Sequence, residues 1–229
     1  LLLVGSFVLI FLSLPIDWYQ GFLQNLLGGN IQAILQMIKE GCFDLLAIIL
    51  LITISYRYAR LKNIRAMRAI SVPVVAVASY IAFLGMHKEG FAVSSFGVNG
   101  MFVAIVTAIL SSMLFLKLRS LAFFRLRFHT AGTEADFVEA LSSLLPALFT
   151  ILSFAFANQC IVLLFGVASI QELFTQSIVT MFQGLGRTLF SGLLFIFFVH
   201  FFWFFGMHGG NIMDAVSQNL FASGLQENI

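Results

Sequence analysis

Residues 97–117 read GVNGMFVAIVTAILSSMLFLK, and this stretch decides the fold. It is continuously apolar from Met101 onward and shows no alternation of period 2. A helix rising about 1.5 Å per residue needs roughly 20 such residues to cross the hydrocarbon core of a bilayer. A barrel strand would be shorter and would alternate. The reading is therefore a transmembrane helix. Working outward, five more apolar runs of this kind occupy 1–16, 31–56, 70–86, 140–167 and 188–206. A weaker run at 212–225 leaves a seventh crossing open.

Composition points the same way. Of 229 residues, 60% are hydrophobic and 10% charged, with mean hydropathy +1.02. A soluble domain carries about a quarter charged residues. Too few charges are present to coat a water-facing surface, which excludes a disordered chain, a disulfide scaffold and almost any water-soluble enzyme. The expected fold class is an all-α polytopic membrane protein, with six or seven transmembrane helices plus an amphipathic helix. That last element is read at 168–187, where Ile170, Leu173, Phe174, Ile178, Met181, Phe182 and Leu185 recur at intervals of three and four. Such a helix lies in the membrane interface or packs against a partner subunit.

The basic residues orient the chain. Arg57, Arg60, Lys62, Arg65 and Arg68 crowd one connection, and Lys117, Arg119, Arg125 and Arg127 follow the 97–117 span. These nine of the twelve basic residues fall on one side, while 17–30 and 86–96 contribute only Lys88. The positive-inside rule places 57–69 and 118–139 in the cytoplasm. The clusters read as topology signals and lipid-phosphate contacts, not as a nucleic-acid surface. Cys42 and Cys160 sit among apolar residues without metal-ligand spacing, so no metal or cofactor is expected. No phosphate-binding loop, nucleophile elbow or HExxH motif nominates a catalytic residue.

Chemistry concentrates at 199–214, VHFFWFFGMHGGNIMD. Glycines at the end of a span let the backbone leave the helix, which a membrane tolerates only against protein or a wet cavity. Trp203 supplies a flat apolar plate, and His208 and Asn211 supply hydrogen-bonding groups. An uncharged ligand rich in hydroxyls needs both kinds of surface. Trp203 also fits an interfacial aromatic belt, and His200 fits a bond between helices. Trp203 and His208 converge only if the helix bends or unwinds near Gly206. At the fourth span, Gly97, Asn99 and Gly100 permit either close helix packing or backbone access to a ligand.

The run Phe-Trp-Phe-Phe-Gly-Met-His-Gly-Gly-Asn at 202–211 resembles the signature of the membrane-embedded C component (EIIC) of bacterial sugar phosphotransferase systems, in the lactose/cellobiose/diacetylchitobiose branch. Val4-Gly5-Ser6 leading to Leu14-Pro15, and Phe96 through Met101, agree with it. The resemblance implies a dimeric, multi-pass permease of the bacterial cell membrane that imports a disaccharide by alternating access. A cytoplasmic phosphorylated B component, carrying the phosphocysteine, then phosphorylates the sugar. On that resemblance Trp203 stacks on a sugar ring, His208 bonds a hydroxyl near the phosphoryl acceptor, and Asn211, Asn99 and Gly100 border the same pocket. The basic residues Arg57, Arg60, Lys62, Arg65, Arg125 and Arg127 then help dock the B component. Members of the family are roughly twice as long, so residues 1–229 read as one EIIC-like domain incomplete at its C-terminus, with residues expected upstream of Leu1. The alternative is a truncated, non-transporting paralogue kept for membrane assembly or regulation.

Overall fold

The structure, a computed structural model, describes residues 2–25, 30–65, 69–85, 93–124, 135–204 and 209–222. Among the described residues all regular structure is helical. Four helices form the scaffold: Leu46–Leu61, Ser71–Leu84, Met101–Ser120 and Ala135–Phe165. Ala59, Val72 and Phe115 share a buried cluster with Ala147 packed against it. At the other end Leu46, Leu84, Val98 and Met101 belong to a second cluster. Helices 46–61 and 101–120 therefore run parallel, with 71–84 antiparallel between them. Small inward residues, Ala47, Ala76, Ala104 and Ala108, are fully buried and let the backbones approach closely. Outward side chains such as Leu148, Leu152, Phe156, Leu163 and Leu164 are exposed, as a hydrocarbon solvent requires.

The spans expected at 97–117 and 140–167 stand as Val98–Ser120 and Leu141–Phe165, both long and apolar enough to cross a membrane. Those at 70–86 and 188–206 are the shorter apolar helices Ser71–Leu84 and Leu189–Phe204. Two expected spans are divided. Residues 31–56 split into Asn30–Phe43 and Leu46–Leu61 at a turn over Asp44 and Leu45. The first piece carries Gln32, Gln36 and Glu40 exposed, with Gln36 bonded to Glu40 at 3.1 Å, whereas the second carries no charge before Arg57. Residues 1–16 end at Ser13 and bend by 111° into Asp17–Asn25. Pro15 causes the break, because it lacks an N–H and disfavours helix at the residue before it. The Gln20 amide then donates to the carbonyls of Leu12 (3.1 Å) and Leu14 (2.9 Å) left without helical partners.

The amphipathic helix is Ile170–Gln183. Ser169 caps it, accepting from the Glu172 N–H at 3.2 Å, while the Glu172 carboxylate accepts from the Ala168 N–H at 2.6 Å. Part of its apolar stripe packs within the chain: Phe174 stacks on Phe102 at 4.3 Å and Phe182 is fully buried, while Met181 is exposed. The 212–225 run is no further crossing as far as it is described. Residues Asp214–Val216 and Ser217–Ala222 fold back on the bundle, with Met213 and Val216 fully buried.

Candidate functional site

Helix Leu189–Phe204 starts from a reciprocal hydroxyl cap. The Ser191 N–H donates to the Thr188 hydroxyl (3.2 Å), and the Thr188 N–H donates to the Ser191 hydroxyl (3.0 Å). Phe202 then enters the core at 5% exposure, while Trp203 is half exposed beside it. After Phe204 the chain reverses. A methyl group on Gly209 would collide with the Val199 carbonyl, so the backbone returns against the helix it has just left. The short helix Gly209–Ile212 continues that return, and Phe221 meets Phe195 edge-on at 5.3 Å. The result is a helical hairpin with Trp203 near its tip. Residues 205–208, and so His208, lie outside the described residues, as does the Asn211 side chain. The backbone of Asn211 lies in the returning helix.

The start of helix 101–120 meets this hairpin. The turn Val98–Gly100 packs against Gly209–Ile212, which brings Asn99 and Gly100 beside the segment that carries Asn211. Asn99 is exposed there and Gly100 is buried. The turn is held from behind by Tyr80, a fully buried side chain on helix 71–84. Its hydroxyl donates to the Ser95 carbonyl at 2.6 Å and stands 3.2 Å from the Gly100 carbonyl. Any Cβ on Gly100 would collide with the Ser95 carbonyl and the Tyr80 hydroxyl. A Cβ on Gly97 would lie 2.8 Å from the Phe43 carbonyl oxygen, so the 43–45 turn is packed against the same region. Sequence reasoning missed Tyr80. Its signal was a phenol in an otherwise apolar span, where the O–H must find an acceptor.

Of the six basic residues assigned to partner docking, the four that are described lie elsewhere. Arg57, Arg60, Lys62 and Arg65 are exposed at the end of helix 46–61, the end shared with Lys117 and Arg119 on helix 101–120. Arg60 donates to the Ile64 carbonyl at 2.9 Å, and the Lys62 ammonium sits 5.9 Å from the Tyr58 ring. Arg125 and Arg127 lie outside the described residues. The structure thus separates two regions by the length of the scaffold. Asn99, Gly100 and the hairpin stand near one end, and a basic surface occupies the other. Among the described residues no three His, Cys, Asp or Glu side chains form a group that could hold a metal.

The family description "Phosphotransferase system, EIIC" matches residues 1–227. Two curated relatives from Bacillus subtilis (strain 168) align with the whole chain. They are the PTS system oligo-beta-mannoside-specific EIIC component, 21% identical, and the lichenan permease IIC component, 24% identical. In both cases the alignment covers 52% of the relative, so the chain spans about half the length of the curated relatives it matches. Among solved structures, the transporter ChbC, the IIC component of the N,N'-diacetylchitobiose-specific phosphotransferase system, superposes with a TM-score of 0.66 at 19% identity. That match covers 93% of this chain and 51% of ChbC, and it shows a common helical fold.

Proposed function

From the premise that the chain belongs to the phosphotransferase system EIIC family, we propose that it forms the sugar-binding part of a disaccharide permease in the bacterial cell membrane. The substrate is a β-linked disaccharide of the cellobiose, lactose or chitobiose kind. This class accords with the oligo-beta-mannoside, lichenan and diacetylchitobiose names of its relatives. The observation that carries the reading is the meeting of the Val98–Gly100 turn with the hairpin that bears Trp203. The Trp203 ring offers an apolar plate to the C–H face of a sugar, and Asn99, Asn211 and His208 offer directional bonds to its hydroxyls. Gly100 contributes by leaving room for the turn.

The chain is not assigned the phosphoryl chemistry. In the proposed cycle the phosphorus–sulfur bond on a cysteine of the cytoplasmic B component breaks and a phosphorus–oxygen bond to a sugar hydroxyl forms. The exposed Arg57, Arg60, Lys62 and Arg65, with Arg125 and Arg127, attract that phosphorylated partner from the cytoplasmic side. A homodimer is proposed as the assembled form.

The test is ligand-dependent thermal stabilisation of the detergent-solubilised chain with cellobiose, lactose and diacetylchitobiose. A saturable shift is expected with at least one sugar. Trp203→Ala should weaken it about tenfold or more, corresponding to about 1.4 kcal/mol of lost stacking. His208→Ala should remove it. No shift with any sugar, from monodisperse protein, would instead favour a membrane assembly or regulatory role. Orientation has its own check. Arg60→Cys should react with an impermeant thiol reagent only after cells are opened, and labelling from outside intact cells would reverse the topology.

A further inference from the structure

Helices 46–61, 71–84 and 101–120 each turn one stripe toward their common axis. On the first it is Ala47, Leu51, Ser55 and Ala59, on the second Val72, Ala76, Ser79 and Tyr80, and on the third Ala104, Thr107, Ala108, Ser111 and Phe115. Besides the Tyr80 phenol, four serine and threonine hydroxyls therefore face the inside of an apolar bundle, and each residue is 0–1% exposed. None of the four hydroxyl oxygens has a hydrogen-bond partner. Hydroxyls in these and neighbouring helices do otherwise. Thr53, Ser112, Thr150 and Ser153 each donate to the carbonyl four residues earlier, the usual way a helix satisfies such a group. Ser55, Ser79, Thr107 and Ser111 forgo that bond. They also stand out of bonding reach of one another.

By residue count the four fall at two neighbouring levels of the bundle. Ala59 shares a buried cluster with Phe115 and Val72 at one end, and Leu46 shares another with Met101 and Leu84 at the other. Counting inward, Ser55 falls beside Ser111, and Ser79 beside Thr107, one helical turn or about 6 Å away. Fully buried Ala76, Ala104 and Ala108 flank them, together with the larger buried side chains Leu51, Tyr80 and Phe115, so bulk water has no access to them. Buried polar groups separated by more than a hydrogen bond in this way are joined by water, which needs two to four polar partners.

We propose that Ser55, Ser79, Thr107 and Ser111 form an internal hydration site, in which ordered water bridges the three scaffold helices within the membrane. Each hydroxyl donates one bond and accepts others, so a bridging water is matched on both counts. The four groups are neutral, and the backbone carbonyls around them are committed to their own helices. Water therefore suits the site better than a cation.

The sign of a stability change tests this. Thr107→Val keeps the side-chain shape and removes the hydroxyl. If Thr107 is hydrated, the reconstituted chain should melt about 2–4 °C lower. Thr107→Ser should retain most of the native melting temperature, and Thr107→Val with Ser111→Ala should be non-additive because the two share a water. An equal or higher melting temperature for Thr107→Val would mean the hydroxyl is unpaired and would overturn the proposal. A melting temperature that rises with sodium or potassium in the native chain, but not in Thr107→Val, would overturn it in favour of a cation. Radiolytic footprinting gives a direct reading. Hydroxyl radicals from bound water should oxidise Leu51 and Phe115, which are fully buried one turn from Ser55 and Ser111. Labelling absent there in the native chain would also refute the site.

Discussion

Gly209→Ala should insert into the membrane yet lose the sugar-dependent thermal shift. The glycine backbone lies so close to the Val199 carbonyl that a methyl group has no place to go, and the obstacle is main chain rather than a flexible side chain. Accommodating it means prying the returning segment away from helix 189–204. That displaces the segment carrying Asn211 and opens the packing of Met213 and Val216, both fully buried. The stability cost should be about 3 kcal/mol or more, in the range of severe core disruption. Gly192, on the same helix, is the control. A Cβ there meets nothing within 4 Å, so Gly192→Ala should be neutral or stabilising by up to about 1 kcal/mol. Equal melting temperatures for the two alanine variants would refute the hairpin geometry.

The second large effect is expected at Gly100. Gly100→Ala drives a methyl group into the Ser95 carbonyl and the Tyr80 hydroxyl at once. The turn that faces the hairpin should then be expelled and sugar affinity should fall at least as far as in Trp203→Ala. Tyr80→Phe is a milder perturbation. It leaves the Ser95 carbonyl without its buried donor and should cost about 1–3 kcal/mol. Combining the two distinguishes the obstacles. Tyr80→Phe clears only the hydroxyl, so the double variant should bind sugar no better than Gly100→Ala. Restored binding would show that the phenol, rather than the Ser95 carbonyl, was the barrier.

The scaffold helices were legible because membrane solvation acts on each span separately. A continuous apolar run such as 101–116 has one stable answer, and the basic residues at 57–65 and 117–119 fall at one end of the bundle as span parity required. Breaks were harder to see. Leu14-Pro15 carries a local steric signal for the 111° bend, but the apolar residues around it outweighed that signal. The turn at Asp44 was hidden because a single acidic residue interrupts the run only briefly, while its docking depends on Gly97, more than fifty residues away. At the site, the glycines announced that the helix would be broken. That the chain doubles back on Val199 was not readable, since it depends on what the returning segment buries. The same limit applies to Tyr80 and the four interior hydroxyls. In a sequence they are ordinary polar residues on helices, and only the neighbouring helices decide which bonds they make.

The capped helix 170–183 has a mechanical consequence. At one end Phe174 is stacked on Phe102 of the scaffold, and at the other Phe182 is set edge-on against Phe195 and Phe198 of the hairpin. The two contacts are eight residues apart, an arm of about 12 Å. Gly166 and Gly186, with φ of 67° and 61°, flank it in a conformation that side chains rarely adopt. The helix is thus tied at one end to the scaffold and at the other to helix 189–204, so those two elements cannot shift against each other without breaking one of the ring contacts.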